Sequence, residues 1–411
     1  MNFKATRSFI FVFCCCMCVS AQTAEKISIK LGIDRLREAE FADLIGKRVG
    51  LVANPASVDS RGKSTVEILQ NAKGVRLMAL FGPEHGVGGK VEAGRSVGSY
   101  YDKRFGIHAY SLYGKTRKPT PEMLKDIDIL VYDLQDIGCR SYTYISTLGM
   151  VMEAAMENGK QVIVLDRPNP LGGMRVEGSR LDPKFRSFVG QYDIPYVYGL
   201  TPGELAHWIN VKYLSRPCNL KVIEMTEWNR STTWDRTGLQ WMPTSPNIPS
   251  FESALGYAAT GILGEIGVTN GVKEKLPFQI ITSENLDASW FAQKMNSYDL
   301  KGIQFDSYHF YPSNGKYRSC KFSGVRLKID PQAEGNLTAV AIYAFPLLKK
   351  AFPKRNYFQN KNCMMMFDKL YGSDALRRAF KDGTAATQIV ASWNDGVARW
   401  KEERKPFLLY Q

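Results

Sequence analysis

The run Ile127-Asp-Ile-Leu-Val-Tyr-Asp-Leu134 decides the fold. Its near-continuous apolar character suits a strand buried on both faces, the habit of parallel sheets covered by helices rather than of sheets with one wet face. Four further runs repeat the pattern: Arg48–Ala53, Leu77–Phe81, His108–Leu112 and Gln161–Leu165. Helix-like stretches lie between them. One occupies about Ser64–Gln70, a second begins at Thr120-Pro121 with a cap and a first-turn proline, and a third spans Tyr144–Asn158 and stops at Gly159. This alternation predicts an α/β domain with a mostly parallel sheet.

Farther on, the chain crosses Pro243-Thr-Ser-Pro-Asn-Ile-Pro249, a proline-punctuated passage that reads as an inter-domain connection. Helix-like segments at Ser253–Leu263, Ala288–Asn296, Thr338–Ala351 and Gly372–Asp382 then alternate with short strand candidates such as Gly324–Ile329. Single cores rarely grow beyond about 250–300 residues. A chain of 411 residues is therefore expected to form two domains, 22–246 and a smaller C-terminal α/β (α+β) unit over 247–411.

Lys4 and Arg7 precede the apolar run Phe9–Val19, and Val19-Ser20-Ala21 has the small-residue spacing of a signal-peptidase site, so residues 1–21 read as a secretory leader. The mature chain is then exported, periplasmic or extracellular. Loss of Lys4 and Arg7 lowers the formal charge from +14 to +12, still basic enough to favour an anionic partner. Export argues against nucleic acid as that partner. Cys18 lacks the approach of a lipoprotein site, and no later stretch holds the roughly 18 apolar residues that span a bilayer, so no stable membrane anchor is expected. Four cysteines leave with the leader. Cys139, Cys218, Cys320 and Cys363 remain, enough for one or two disulfides or for small buried thiols.

The unusual polar residues share one position relative to the strands. Asn54, Pro83-Glu-His85, Tyr113-Gly114, Gln135-Asp136 and Asp166-Arg-Pro-Asn169 all stand just past predicted strand carboxyl ends. Open α/β sheets bind ligands at that edge, so residues far apart in the chain converge on one rim. Phe81-Gly-Pro-Glu-His-Gly-Val-Gly-Gly89 is the most telling loop: it sets an acid beside an imidazole, among glycines that let the backbone approach a ligand. Taken alone, it also reads as a turn whose Glu84 caps the next element. Loop formation explains Asp, Asn, Pro and Gly here, but it does not call for Glu84, His85, Arg140 and Arg167.

No cofactor is implied. Gly62-Lys63-Ser64 has Ser57 where a phosphate loop needs its first glycine, and Gly86-x-Gly88 is followed by Val91 where a dinucleotide fingerprint needs a small residue. No serine occupies a nucleophile elbow, and the four histidines show no metal-protease spacing. A metal held by Asp133, Asp136, Asp166 and His85 stays open, although acids at strand ends more often bind hydroxyls or arginines. What remains is a rim of carboxylates, amides, arginines and tyrosines: Asp133-Leu-Gln-Asp136, Arg140-Ser-Tyr142 and Asp166–Asn169. Such a mixture suits a sugar, whose hydroxyls pair with the polar groups and whose C–H face lies on aromatic rings. Glycoside cleavage needs an acid at the leaving oxygen, with a second carboxylate or a substrate acetamido group.

Several long strings carry a family likeness: LFGPEHG (80–86), the stretch from SLYGKTRKPTPEMLKDIDILVYDLQDIGCRSYTYIS to MEAA (111–155), VIVLDRPNPLGG (162–173), VEG (176–178), SFVGQYDIPYVYGLTPGELA (187–206) and PTSPNIPS (243–250). From about residue 44 to 282 the chain resembles the bacterial peptidoglycan exo-β-N-acetylmuramidases, formerly a domain of unknown function. The resemblance implies a Rossmann-like N-terminal domain, a smaller C-terminal domain and a pocket between them. It also implies an activity of cell-wall recycling: removal of N-acetylmuramic acid (MurNAc) from non-reducing ends of fragments such as MurNAc-GlcNAc.

Carried over, the family's acid falls on Glu84 with His85 beside it, and the second motif on Asp133, Gln135, Asp136 and Arg140, followed by Asp166, Arg167 and Asn169. Two departures stand out: Arg95 where an acid is common, and Gly264–Gln279 in place of a loop usually richer in Ser, Gly and Arg. Glu92 sits where the family often has Asp. The expected general acid is Glu84, assisted by His85, Glu92 or Asp136. Asn54, Tyr113, Tyr142 and Asn247 complete the expected substrate contacts, and Arg140, Arg167 and Lys118 are expected to pair with the lactyl carboxylate of MurNAc. A non-catalytic wall-sugar binder and a metal-dependent wall hydrolase are the competing readings.

Overall fold

The structure is a computed structural model and describes residues 29–96, 98–313 and 317–411; the expected leader lies outside them. Seven strands form the larger sheet: β1 (Arg48–Ala53), β2 (Arg76–Gly82), β3 (Tyr100–Asp102), β4 (Ile107–Ser111), β5 (Ile129–Asp133), β6 (Gln161–Leu165) and β7 (Asn219–Ile223). Their order is β3-β4-β2-β1-β5-β6-β7, and every pairing is parallel except that of β3 with β4. All of β5 is buried, as its apolar run requires. Alternate residues serve opposite faces. Val49, Leu51, Ile129, Val131 and Ile163 pack with Leu36, Leu69 and Trp228, while Val52, Leu130, Tyr132 and Val162 pack with Ile145, Leu148 and Met152.

From β1 the chain builds outward through β2 and β4, and from β5 it builds the other way through β6 and β7. The carboxyl ends of β1 and β5 therefore form the switch point at which such sheets open a ligand crevice.

The second unit holds an antiparallel sheet of β8 (Ile280–Glu284), β9 (Ile303–Phe310) and β10 (Phe322–Ile329) in the order β8-β10-β9. Helices Phe251–Thr260 and Ala288–Asn296 lie against this sheet, and Ala339–Ala351 packs on both. The chain thus folds as a mostly parallel α/β domain with a smaller mixed one.

The C-terminal segment does not stay with the smaller unit. Trp400 donates Nε1–H to the carbonyl of Tyr198 (2.8 Å), Arg404 Nη1 donates to the carbonyls of Gly199 (2.6 Å) and Gly173 (2.9 Å), and the Tyr410 hydroxyl donates to Asp166 Oδ2 (2.7 Å). These contacts close the larger domain with the end of the chain. Cys139, Cys218, Cys320 and Cys363 are all free thiols, the first two buried, so the disulfide option is not taken in this structure.

Candidate active site

Beyond β2 the chain turns sharply through Pro83–Gly94. His85 takes a left-handed conformation (φ 74°) that is uncommon for a residue with a side chain, and Gly86 (φ 76°) follows it. His85 Nδ1 lies 2.6 Å from the Val91 carbonyl. A carbonyl can only accept, so this nitrogen carries a proton and ties the loop to itself. The closed loop brings Gly94 N–H to 2.8 Å from Glu84 Oε1, while the Thr143 hydroxyl donates to Oε2 at 2.8 Å. Since an N–H cannot reverse, Oε1 is an obligate acceptor, and any proton on Glu84 must sit on Oε2 facing Thr143. The Tyr113 phenol adjoins the same carboxylate; burial first, and then the charge of Glu84, pushes it up to about 12.

Much of the expected rim is engaged inside the fold. Arg167 and Asp133 form a buried fork, with Nε to Oδ1 at 2.5 Å and Nη2 to Oδ2 at 2.9 Å, and Thr65 also donates to Oδ2 at 2.6 Å. Asp166 accepts from Thr201 Oγ1 (2.7 Å), Gly203 N–H (2.8 Å) and Tyr410. Gly203 makes that approach possible, because a Cβ there would stand 2.7 Å from the Asp166 carboxyl carbon. Asn169 joins the carbonyl of Leu200 (3.0 Å) to the N–H of Leu171 (3.0 Å). Asn54 donates to the Tyr144 hydroxyl (2.9 Å) and the Thr244 carbonyl (3.1 Å), and Tyr142 donates to Thr244 Oγ1 (2.8 Å).

Arg140 is wholly buried without a carboxylate and donates Nη1 to the carbonyls of Ser179 and Ile194, each at 2.7 Å, and Nη2 to that of Tyr371. Burial pulls its guanidinium down to about 10. It therefore braces the two domains rather than reading a ligand. The expected pairing of Arg140 and Arg167 with a substrate carboxylate thus needs correction. The arginines are sealed by partners, and Lys118 binds Glu157 (2.8 Å) and Glu153 (3.4 Å) on the surface.

Asp136 and Gln135 are partly satisfied. Gln135 Nε2 donates to the carbonyls of Asp136 and Pro168 (2.8 Å each), and Asp136 Oδ2 accepts from Gly138 N–H (2.7 Å) and Tyr198. Among the described residues, Gln135 Oε1 and Asp136 Oδ1 are buried without a hydrogen-bond partner. Enclosure raises the Asp136 carboxyl from 3.8 to about 6 against these donors. The folded chain holds that proton up to about pH 6, whereas the unfolded chain releases it near 3.8. Stability is therefore greatest below the lower value and falls as pH rises between the two. Asp136→Asn is expected to flatten this slope by on the order of 2–3 kcal/mol, measured by chemical denaturation from pH 4 to 7; an unchanged slope would refute the assignment.

Asp133, Asp136, Asp166 and His85 do not converge on a metal site: among the described residues, no group of three or more His, Cys, Asp or Glu is placed to hold an ion. Glu92 is more than half exposed and pairs with Arg95 and Lys273, each at 3.3 Å.

A cavity of about 490 Å³ opens beside the Glu84 loop, lined by Ala93 from that loop, Asn247 from the connection, and Tyr257, Glu265, Asn270 and Phe278 from the second unit. Ser141 hydrogen-bonds the hydroxyls of Tyr196 (2.9 Å) and Tyr257 (3.0 Å), so one short segment, 141–143, serves both the cavity wall and Glu84. The size suits a small ligand, and the tyrosine faces suit a sugar ring. A larger cavity of about 650 Å³ lies near Arg175 and Arg230, but its Glu177 is already paired with Arg175 at 2.6 Å. Thr143, Ser141, Tyr257 and Glu265 were not among the expected site residues. Only the acid of Gly264-Glu-Ile-Gly267 carried a local signal, a carboxylate between glycines.

Comparison with known proteins agrees with this geometry. Residues 49–252 match the N-terminal domain of the exo-β-N-acetylmuramidase NamZ family, and residues 255–410 match its C-terminal domain. The peptidoglycan β-N-acetylmuramidase NamZ of Bacillus subtilis (strain 168) is 40% identical over 389 residues, 95% of this chain and 93% of that protein. A crystal structure of a DUF1343 family protein from Bacteroides fragilis NCTC 9343 is similar at TM-score 0.88 and 44% identity, covering 94% of this chain and all of that one. A second from the same strain gives 0.73 and 27%, covering 93% and 99%. With both domains matched in order along one chain, the protein belongs to the exo-β-N-acetylmuramidase NamZ family.

Proposed function

We propose that the protein is an exported glycosidase that removes N-acetylmuramic acid from the non-reducing ends of peptidoglycan fragments, with MurNAc-GlcNAc the smallest natural substrate. The observation that carries this reading is the Glu84 carboxylate, oriented by Gly94 N–H and the Thr143 hydroxyl on a loop whose Ala93 lines a sugar-sized cavity. Tyr257 and Phe278, with ring centroids 4.8 Å apart, offer an aromatic wall to the sugar's C–H face, and Asn247 and Asn270 offer amides to its hydroxyls and acetamido group.

With the two buried arginines engaged elsewhere, the lactyl carboxylate meets Lys273. Its backbone N–H donates to Asn247 Oδ1 at 3.3 Å, and among the described residues its exposed ammonium has a single surface ion pair, with Glu92. Such exposed pairs contribute about 0–1 kcal/mol, so exchange for a substrate carboxylate costs little. The basic leader, apolar run and Val19-Ser20-Ala21 site support export to the compartment where the wall lies.

Incubation with MurNAc-GlcNAc should yield free MurNAc and GlcNAc, followed by chromatography, with no products from internal cleavage of longer glycans. Failure to release MurNAc from the disaccharide and from a chromogenic MurNAc glycoside would sink this reading.

A further inference from the structure

We propose that Glu265 is the group that protonates the leaving oxygen, with Glu84 acting opposite it as the unprotonated carboxylate. This assignment rests on the glycosidase reading above and names the partner that reading leaves open. Glu265 lies on the short 3-10 turn Gly261–Ile266 and lines, from the second domain, the same cavity that Ala93 of the Glu84 loop lines. Its backbone is fixed: Cys363 Sγ donates to its carbonyl at 2.9 Å, and Gly267 closes the turn in a left-handed conformation whose carbonyl accepts from Arg355. Its carboxyl group differs from the other acids near the cleft. Among the described residues, no hydrogen bond or ion pair engages it. Partial burial without a compensating partner favours the neutral acid, and burial is the sole cause pushing the Glu265 carboxyl up.

Glu84 has the opposite surroundings, since one of its oxygens faces an N–H and can only accept. Two carboxyl groups whose environments differ in this way divide the labour of acid and base. Neither of the other expected partners fits. Glu92 is exposed and ion-paired, and Asp136 is sealed behind Tyr198.

The chemistry balances with water alone. The glycosidic C1–O bond breaks with its electron pair remaining on the leaving oxygen, which takes the Glu265 proton. Water adds its hydroxide to C1, and the remaining proton passes to Glu84. Exchange with solvent then returns Glu84 to the carboxylate and Glu265 to the acid.

The test compares two substrates that differ only in their need for protonation: MurNAc-GlcNAc, and a 2,4-dinitrophenyl β-MurNAc glycoside whose leaving group departs as a stable anion. For Glu265→Gln, kcat on the disaccharide should fall by about 10²–10⁴-fold, with a far smaller loss on the dinitrophenyl glycoside. The wild type should show an alkaline limb in its kcat profile on the disaccharide that is absent with the activated glycoside, a measurement that stands even if the variant folds poorly. Equal losses on both substrates, a near wild-type rate on the disaccharide, or the leaving-group-selective loss appearing in Glu84→Gln would each overturn the assignment while leaving the glycosidase reading intact. A wild type inactive on both substrates would overturn the two together.

Discussion

Replacing Glu84 with glutamine is expected to lower kcat on MurNAc-GlcNAc by about 10²–10⁴-fold with the fold and MurNAc affinity close to those of the wild type. The substitution is isosteric, and each neighbour can still be satisfied. An amide oxygen accepts from Gly94 N–H as Oε1 does now, and the Thr143 hydroxyl can turn from donor to acceptor for the new NH₂. What disappears is the carboxyl group's capacity to take or give a proton. A loss confined to kcat, read beside calorimetric binding of MurNAc and thermal unfolding, identifies a chemical role. Retained turnover, or a variant that loses binding and stability together, would return Glu84 to the status of a loop-closing cap.

Arg167→Met tests the opposite kind of residue and should destabilise the fold by about 3–5 kcal/mol, measured as a lower urea midpoint. Arg167 and Asp133 are both buried within 2% of full enclosure, and Arg167 Nη2 also donates to the Val58 carbonyl at 2.8 Å. Removing the guanidinium leaves the fully buried Asp133 carboxyl group without its cationic partner, and among the described residues the Thr65 hydroxyl is then its one remaining side-chain donor. The penalty arises from that uncompensated charge more than from loss of the pair itself. Asp133→Leu combined with Arg167→Met should therefore recover much of the stability, since apolar replacements of buried pairs are often tolerated. A single variant within about 1 kcal/mol of wild type would mean that solvent or substrate reaches this pair after all. Activity should follow the folded fraction in these variants, whereas in Glu84→Gln it should fall without unfolding.

The strands that carry the site were legible because their signal is local. Arg48–Ala53 and Gln161–Leu165 coincide with β1 and β6, and Ile127–Leu134 brackets β5. A parallel strand buried on both faces must be apolar at nearly every position, so its neighbours in the chain suffice to reveal it. Edge strands carry no such constraint. β7 is exposed or half-exposed throughout and β3 has three residues, so neither announces itself. Helix Pro202–Lys212 was equally silent in its apolar pattern, although Thr201 and Glu204 form a capping box at its start.

The candidate site divides along the same line. Local sequence, ordered strand by strand, placed Asn54, Glu84, Gln135, Asp136, Asp166 and Arg167 on one edge of the sheet, because a parallel sheet with right-handed crossovers leaves its loops nowhere else to converge. Which of these groups is free to meet a ligand was settled only by contacts distant in the chain. Arg167 closes on Asp133, Tyr410 reaches back to Asp166, and Arg140 crosses to Tyr371. Packing of the second domain sets Glu265 in the cavity wall, where no partner among the described residues engages its carboxyl group. Residue type and period determined where the polar rim would form, since both act through neighbouring residues. Burial and pairing determined what each member does, since desolvation depends on atoms that the linear sequence does not bring together.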